Sequence, residues 1–173
     1  GNAGTGKSTL LEYFREKTKK NTAIVAHQGI TALKAKGQTI HSLFKFPIHF
    51  VTKKDVKTLR DRELVRRLDT LIIEEASMVG ADIFDAIDIS LRKNRSIDKP
   101  FGGVQIILFG DVMQLDPIIG GEEELYEKFY PDGPYFFNSN IYKECEFKKI
   151  ELTETFRQKE KKFVDLLNKI RQG

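Results

Sequence analysis

A chain of 173 residues with 40% apolar and 31% charged side chains has the size of one domain, long enough to bury roughly 70% of its unfolded surface. No apolar run approaches a membrane span, the N-terminus lacks a signal-peptide pattern, and the lone Cys145 excludes an internal disulfide framework. Its neighbours Glu144 and Glu146 disfavour a thiolate, which points to a reduced cysteine of an intracellular protein rather than a nucleophile, while a net charge of +4 tolerates a polyanionic partner without demanding one.

The chain opens on Gly1-Asn2-Ala3-Gly4-Thr5-Gly6-Lys7-Ser8-Thr9, which fits the phosphate-loop pattern G-x-x-x-x-G-K-[ST] without a mismatch. Glycines let successive backbone N–H groups converge on a phosphate. Lys7 would neutralise the β and γ oxygens, Ser8 would offer a hydroxyl to Mg²⁺, and the helix starting here would aim its positive end at the anion. The expected nucleotide cradle is Gly1, Ala3, Gly4, Thr5, Gly6, Lys7, Ser8 and Thr9. The competing reading is a glycine-rich turn capping a helix. The strand that normally precedes such a loop is expected to be missing, because the sequence starts on the first glycine.

From Ser8 the apolar Leu10, Leu11 and Phe14 predict a short amphipathic helix with cations in its last turn. Residues 22 to 26 read as a buried parallel strand, and Gly29, Ile30, Thr31, Ala32 and Leu33 open another helical turn that Gly37 breaks. Between Thr39 and Phe50, aromatic, basic and imidazole side chains interleave; such rings either pack in a core or stack on splayed bases. His41 and His49 have no cysteine or third histidine to complete a metal set. The charged run from 53 to 69 predicts a surface helix, either a solvated face or a nucleic-acid contact.

Leu71-Ile72-Ile73 predicts a buried strand that delivers Glu74 and Glu75 at its carboxyl end, the edge where ligands bind in an open parallel sheet. Ile83, Phe84, Ile87 and Leu91 mark one helix face, and residues 104 to 109 a third strand ending in Gly110-Asp111. Residues 119 to 138 read as an irregular surface excursion, 147 to 152 as a short strand, and Phe163, Leu166, Leu167 and Ile170 as the apolar face of a closing helix. Alternating strands and helices give an α/β fold with a mainly parallel sheet flanked by helices.

A phosphate loop plus an acidic pair ending a buried strand divides labour in a recognisable way. Mg²⁺ needs a hard oxygen near Ser8, which Glu74 would supply through the ion's water shell; Glu75 would orient the attacking water and take its proton. Two such acids could also be merely solvated. Gln114 is a candidate γ-phosphate sensor. Arg157 is a candidate arginine finger, worth about 10³ to 10⁵ in rate in other nucleotide hydrolases, or a surface salt bridge.

The order Gly-Thr-Gly-Lys-Ser, Gly29 with Ile30, Thr31 and Ala32, Thr39-Ile40-His41-Ser42, Leu71-Ile72-Ile73-x-Glu75-x-Ser77-Met78-Val79, Gly110-Asp111-x-x-Gln114-Leu115-x-Pro117 and Phe156-Arg157-Gln158 resembles the first motor domain of the Pif-type DNA helicases of superfamily one, kin to the RecD-like enzymes. The resemblance covers essentially the whole chain. It implies one RecA-like ATPase lobe over residues 1 to 173, with ATP and Mg²⁺ as cofactors, from a monomeric enzyme moving 5′-to-3′ on single-stranded DNA and opening duplex junctions. It also implies that Glu75, Gln114 and Arg157 serve catalysis, and that Gln28, Gly29, Thr31, Thr39, His41, Ser42 and Phe44 touch the strand. The setting would be cytoplasm or nucleoid in a bacterium, nucleus or mitochondrion in a eukaryote.

Three departures from the family pattern bear on rate and DNA affinity. The usual Asp-Glu-Ile-Ser reads Glu74-Glu75-Ala76-Ser77, setting the metal-side carboxylate about one methylene farther out, where Mg²⁺ tolerates little distortion. The usual Ala-Pro-Thr-Gly reads Ala26-His27-Gln28-Gly29, and Gln-Leu-Pro-Pro reads Gln114-Leu115-Asp116-Pro117. The family's second motor domain has no counterpart before Gly173, and translocation needs two lobes closing on nucleotide, so the lobe alone is expected to be weak or inactive. Alternatives are a degenerate lobe that binds nucleotide or DNA with little turnover, and a small-molecule P-loop kinase.

Overall fold

The computed structural model describes residues 5–153; residues 1–4, Arg157 and the expected closing helix around Phe163 lie outside the described residues. Strands β1 (Thr22–Ala26), β2 (Gln38–Thr39), β3 (Thr70–Glu74) and β4 (Gln105–Leu108) form one parallel four-stranded sheet in the order β2-β1-β3-β4. β3 is buried along its whole length because it is paired on both sides, whereas β4 lies at one edge of this sheet and is exposed or half-buried. The helices are α1 (Lys7–Lys17), α2 (Gly29–Lys34), α3 (Ile40–Phe44), α4 (Glu63–Arg67), α5 (Ala81–Arg95), α6 (Glu123–Phe129) and α7 (Asn140–Glu144). The expected α/β class with a parallel sheet is therefore present.

Side-chain alternation along β3 builds the layers. Leu71 and Ile73 join Val25, Phe84, Ile87 and Leu91 in the larger core cluster, while Ile72 joins Leu11 and Ile24 in a smaller one. Burying each such side chain stabilises the fold by about 1.5–3 kcal/mol relative to leaving it exposed. The apolar face expected of α5 is buried in full, and Arg95 near its end donates to the carbonyls of Val65, Leu68 and Gly102, closing the base of the sheet. Gly102 has φ +58, and a Cβ there would sit 2.8 Å from the Leu91 carbonyl oxygen, so glycine is required by both conformation and space.

Three expected elements differ. The helix expected over 53 to 69 is confined to α4, and the residues before it form an irregular segment whose Val51, Val56 and Leu59 are buried. Side chains of α5 satisfy its backbone: the Val51 amide donates to Asp82 at 2.9 Å and the Leu59 amide to Asn94 at 2.8 Å. Buried polar partners from a neighbouring helix thus replace the helical hydrogen bonds that the charged run suggested. The excursion over 119 to 138 contains α6, anchored by buried Tyr126 and Tyr130, whose hydroxyls donate to Asp82 at 2.6 Å and Asp85 at 2.9 Å. Residues 147 to 152 form no strand; Phe147 instead stacks on Tyr142 with ring centroids 4.6 Å apart.

Candidate nucleotide and nucleic-acid site

Gly6 caps α1 in the left-handed region at φ 85, turning the chain from the phosphate-loop motif into the helix. Thr5 is buried, Lys7 half-buried, and Ser8 and Thr9 exposed on the first turn, while Gly1, Ala3 and Gly4 lie outside the described residues. Glu74 ends β3 in register with Ala26. Its carboxyl is pushed above the usual range, first by burial, then by repulsion from Glu75, with the Lys7 ammonium opposing both. The charge of the phosphate-loop lysine is therefore felt by Glu74 at the carboxyl end of β3.

Glu74 Oε2 is buried and has no hydrogen-bond partner among the described residues. A buried carboxylate oxygen without a donor suits a hard cation, so the chemistry of Glu74 fits Mg²⁺. Glu75 lies in the left-handed region at φ 52, ψ 51. That strained turn follows directly on the end of β3, and the Glu75 side chain there is half-buried.

The segment after β4 presses against this turn. A Cβ at Gly110 would lie 3.1 Å from the Ala76 nitrogen and 3.3 Å from that of Ser77, so only glycine fits without displacement. Next to it, the buried Asp111 carboxylate accepts from the Gln114 side-chain amide at 3.0 Å and from the Met113 backbone at 3.2 Å. Gln114 is exposed but held. The charge of Asp116 accepts from the Tyr135 hydroxyl at 2.9 Å.

The candidate strand contacts emerge beside this edge, because β1 and β2 are paired in parallel with Ala26 opposite Thr39. Gln28 caps α2 and is exposed with Gly29, while Thr31 is half-buried. Thr39 caps α3, its hydroxyl accepting the Ser42 amide at 3.1 Å, and Ser42 is exposed. His41 meets His27 edge to face, ring centroids 5.5 Å apart. Phe44 is a correction: it is 1% exposed and stacks on Phe46, so it packs in the core and offers no ring face to a base. A five-residue helix with one face on the sheet turns its fifth position inward while Ser42 stays outside.

The PIF1-like helicase family model matches residues 1–173. The chain belongs to the PIF1-like helicase family. Among curated relatives, the ATP-dependent DNA helicase RRM3 of Saccharomyces cerevisiae is 36% identical over 183 residues, covering 100% of this chain and 24% of that protein. The ATP-dependent DNA helicase PIF1 of Homo sapiens is 34% identical over 179 residues, covering 100% and 26%. The crystal structure of Pif1 from Bacteroides with ADP-AlF3 and ssDNA matches with a TM-score of 0.93 at 45% identity, over 99% of this chain and 41% of that one. A structure described as two coordinating Pif1 helicases at forked dsDNA also matches at 0.93, with 44% identity over 99% and 42%. This chain thus spans about a quarter of those curated relatives and about two fifths of the solved chains.

In this PIF1-like chain, three residues beside the candidate site carry little signal in the sequence. Asp111 was visible only as part of a motif; its position three residues before Gln114 was the signal. Asp82, buried and bonded to Val51 and Tyr126, reads in sequence as an ordinary acid in a first helical turn. His27 carried no signal for its pairing with His41, since the contact is made across two elements.

Proposed function

We propose that this chain is the ATP-binding lobe of an ATP-dependent DNA helicase whose full-length parent couples hydrolysis to 5′-to-3′ movement on single-stranded DNA. The observation that carries the reading is buried Glu74, followed directly by Glu75, ending the central strand of a parallel sheet within reach of the charge of Lys7. Lys7 and the amides of the phosphate loop hold the β- and γ-phosphates. Ser8 and Glu74 would hold Mg²⁺, which would supply positive charge against the phosphates. Glu75 orients the attacking water and accepts its proton. Gln114, steadied by Asp111, senses the γ-phosphate, and Arg157 supplies a further positive charge.

Gln28, Gly29, Thr31, Thr39, His41 and Ser42 bear on the single strand, with the hydroxyls and the backbone at the start of α2 positioned for phosphates rather than bases. Nucleotide use and DNA contact are supported by the relative bound to ADP-AlF3 and ssDNA. The monomeric expectation is not carried forward, because another relative is described as two coordinating helicases. Duplex junctions and the second motor domain remain part of the proposal, as does action inside the cell, where the DNA is. Hydrolysis by the full-length parent, measured with and without single-stranded DNA, tests it. DNA stimulation should vanish in Lys7→Ala and in Glu75→Gln; full activity in Lys7→Ala would end the reading.

A further inference from the structure

The amino edge of the sheet carries a cleft that the nucleotide site does not use. Arg15, Thr18, Lys20, Thr22, Ile24 and Lys36 line a space of about 220 Å³. Thr22 and Ile24 line it, and Ala26, opposite Glu74, ends the strand that Thr22 begins, so a rise of about 3.3 Å per residue puts the cleft about 7 to 13 Å along β1 from Glu74.

Arg15, Lys20 and Lys36 are all exposed, and among the described residues no carboxylate lies within ion-pair distance of any of them. Arg15 spends one donor on the Ala35 carbonyl at 3.2 Å, and Lys20 one on the neutral Gln105 amide oxygen at 2.7 Å. Two helix C-termini close by, those of α1 and α2, account for part of this positive charge. The ends of α1 and α2 already carry Lys17 and Lys34 for that purpose. Lys36 is held at φ 54, just past the end of α2, and the Lys20 backbone is fixed by Thr18 and Thr22, whose hydroxyls engage its amide and carbonyl at 3.2 Å each. The cations are thus carried on set backbone rather than on a loose tail. The nearest acids by sequence are Glu12 and Glu16 on α1; Asp69, far off in sequence, reaches the neighbouring Asn21, whose amide donates to it at 2.9 Å.

Resting on the helicase reading above, we propose that this cleft is a second nucleic-acid contact that takes the phosphodiester backbone of a duplex arm flanking the strand in the motor track. Among the described residues no aromatic side chain lines it, so it offers no platform of the kind single-strand sites use to stack bases, and its chemistry of guanidinium, ammonium and hydroxyl donors is that of phosphate contact without sequence reading. Duplex DNA presents one phosphate per about 1.7 Å of axis, a density that suits cations spread around one shallow cleft.

The test compares the full-length parent with its Lys20→Gln/Lys36→Gln double variant; Arg15 is left intact because it also bonds the fold. Affinity is followed against salt for a short single strand confined to the track and for a fork with a long duplex arm. For the fork, the log–log salt slope should flatten by about 0.9 for each lost duplex contact, about 1.8 for both. For the short strand, slope and stimulated hydrolysis should be unchanged, and so should the melting temperature. An unchanged fork slope overturns the proposal. So does binding of inorganic phosphate alone that the double variant loses while the fork slope stays constant, which marks a free-anion site. If the short strand neither binds nor stimulates the parent, the helicase reading itself fails, and this proposal with it.

Discussion

The Asp111–Gln114 pair offers a sharp test of how this site is organised. Gln114 is exposed, and its side-chain amide donates to the buried Asp111 carboxylate at 3.0 Å. Asp111→Asn keeps the shape but exchanges a charged acceptor for a neutral one and leaves one of the Met113 and Gln114 donors facing an amide. Losing the charge assistance costs about 1 kcal/mol, and re-ordering a freed glutamine side chain at each turnover costs up to about 1.5 kcal/mol. Together these raise the barrier by about 1–2.5 kcal/mol, a fall of about 5- to 70-fold in kcat. Gln114→Ala, which removes the sensor, should slow the DNA-stimulated ATPase at least as much. If Asp111 works through Gln114, the double variant should be no slower than Gln114→Ala alone, because the residues form one unit and their effects do not add. The assay is steady-state hydrolysis by the full-length parent at saturating single-stranded DNA. Multiplying effects in the double variant, with KM for ATP unchanged throughout, would refute the reasoning and give Asp111 a separate task.

Further outcomes follow from burial and charge. Phe44→Ala should lose about 3–5 kcal/mol of stability as a core truncation, seen as a lower melting temperature, while strand affinity of the folded fraction holds; weaker binding with an unchanged melt would return Phe44 to the strand. Glu74 is a buried acid whose folded form holds its proton more tightly than the unfolded chain does, so its ionisation at neutral pH costs stability. Glu74→Gln should therefore melt higher than wild type without Mg²⁺, and its stabilisation by nucleotide should no longer depend on Mg²⁺; a lower melt, or full Mg²⁺ dependence, contradicts the assigned role. His27 and His41 lie below the ordinary imidazole value of 6.5, through burial first, with His41 adding to the shift at His27 and Asp82 opposing at both. The unfolded chain then takes up protons that the folded one refuses, so stability should decline as pH falls from about 7.5 to about 5.5, and less steeply in His27→Phe. Equal profiles for the two proteins would remove the pair from the account.

Short-range patterns carried the parts of this protein that depend on short-range physics. The strand at 22 to 26 was legible because a compact apolar run suits a parallel strand buried on both faces, and α5 because its apolar residues recur at helical spacing. The charged run before α4 misled because its backbone partners, Asp82 and Asn94, lie on another helix. The fold of 119 to 138 was hidden for the same reason: α6 is held by tyrosine hydroxyls reaching α5.

The sequence by itself determined the phosphate loop, the acidic pair, the parallel α/β class and the family, since each is written in residue types at fixed spacing. Tertiary structure alone decided that Phe44 belongs to the core, that His27 meets His41, and that Arg15, Lys20 and Lys36 share one cleft. Those outcomes depend on which side of the sheet each element packs and on which elements lie side by side. Such contacts join residues distant in sequence, and a local pattern has no term for them.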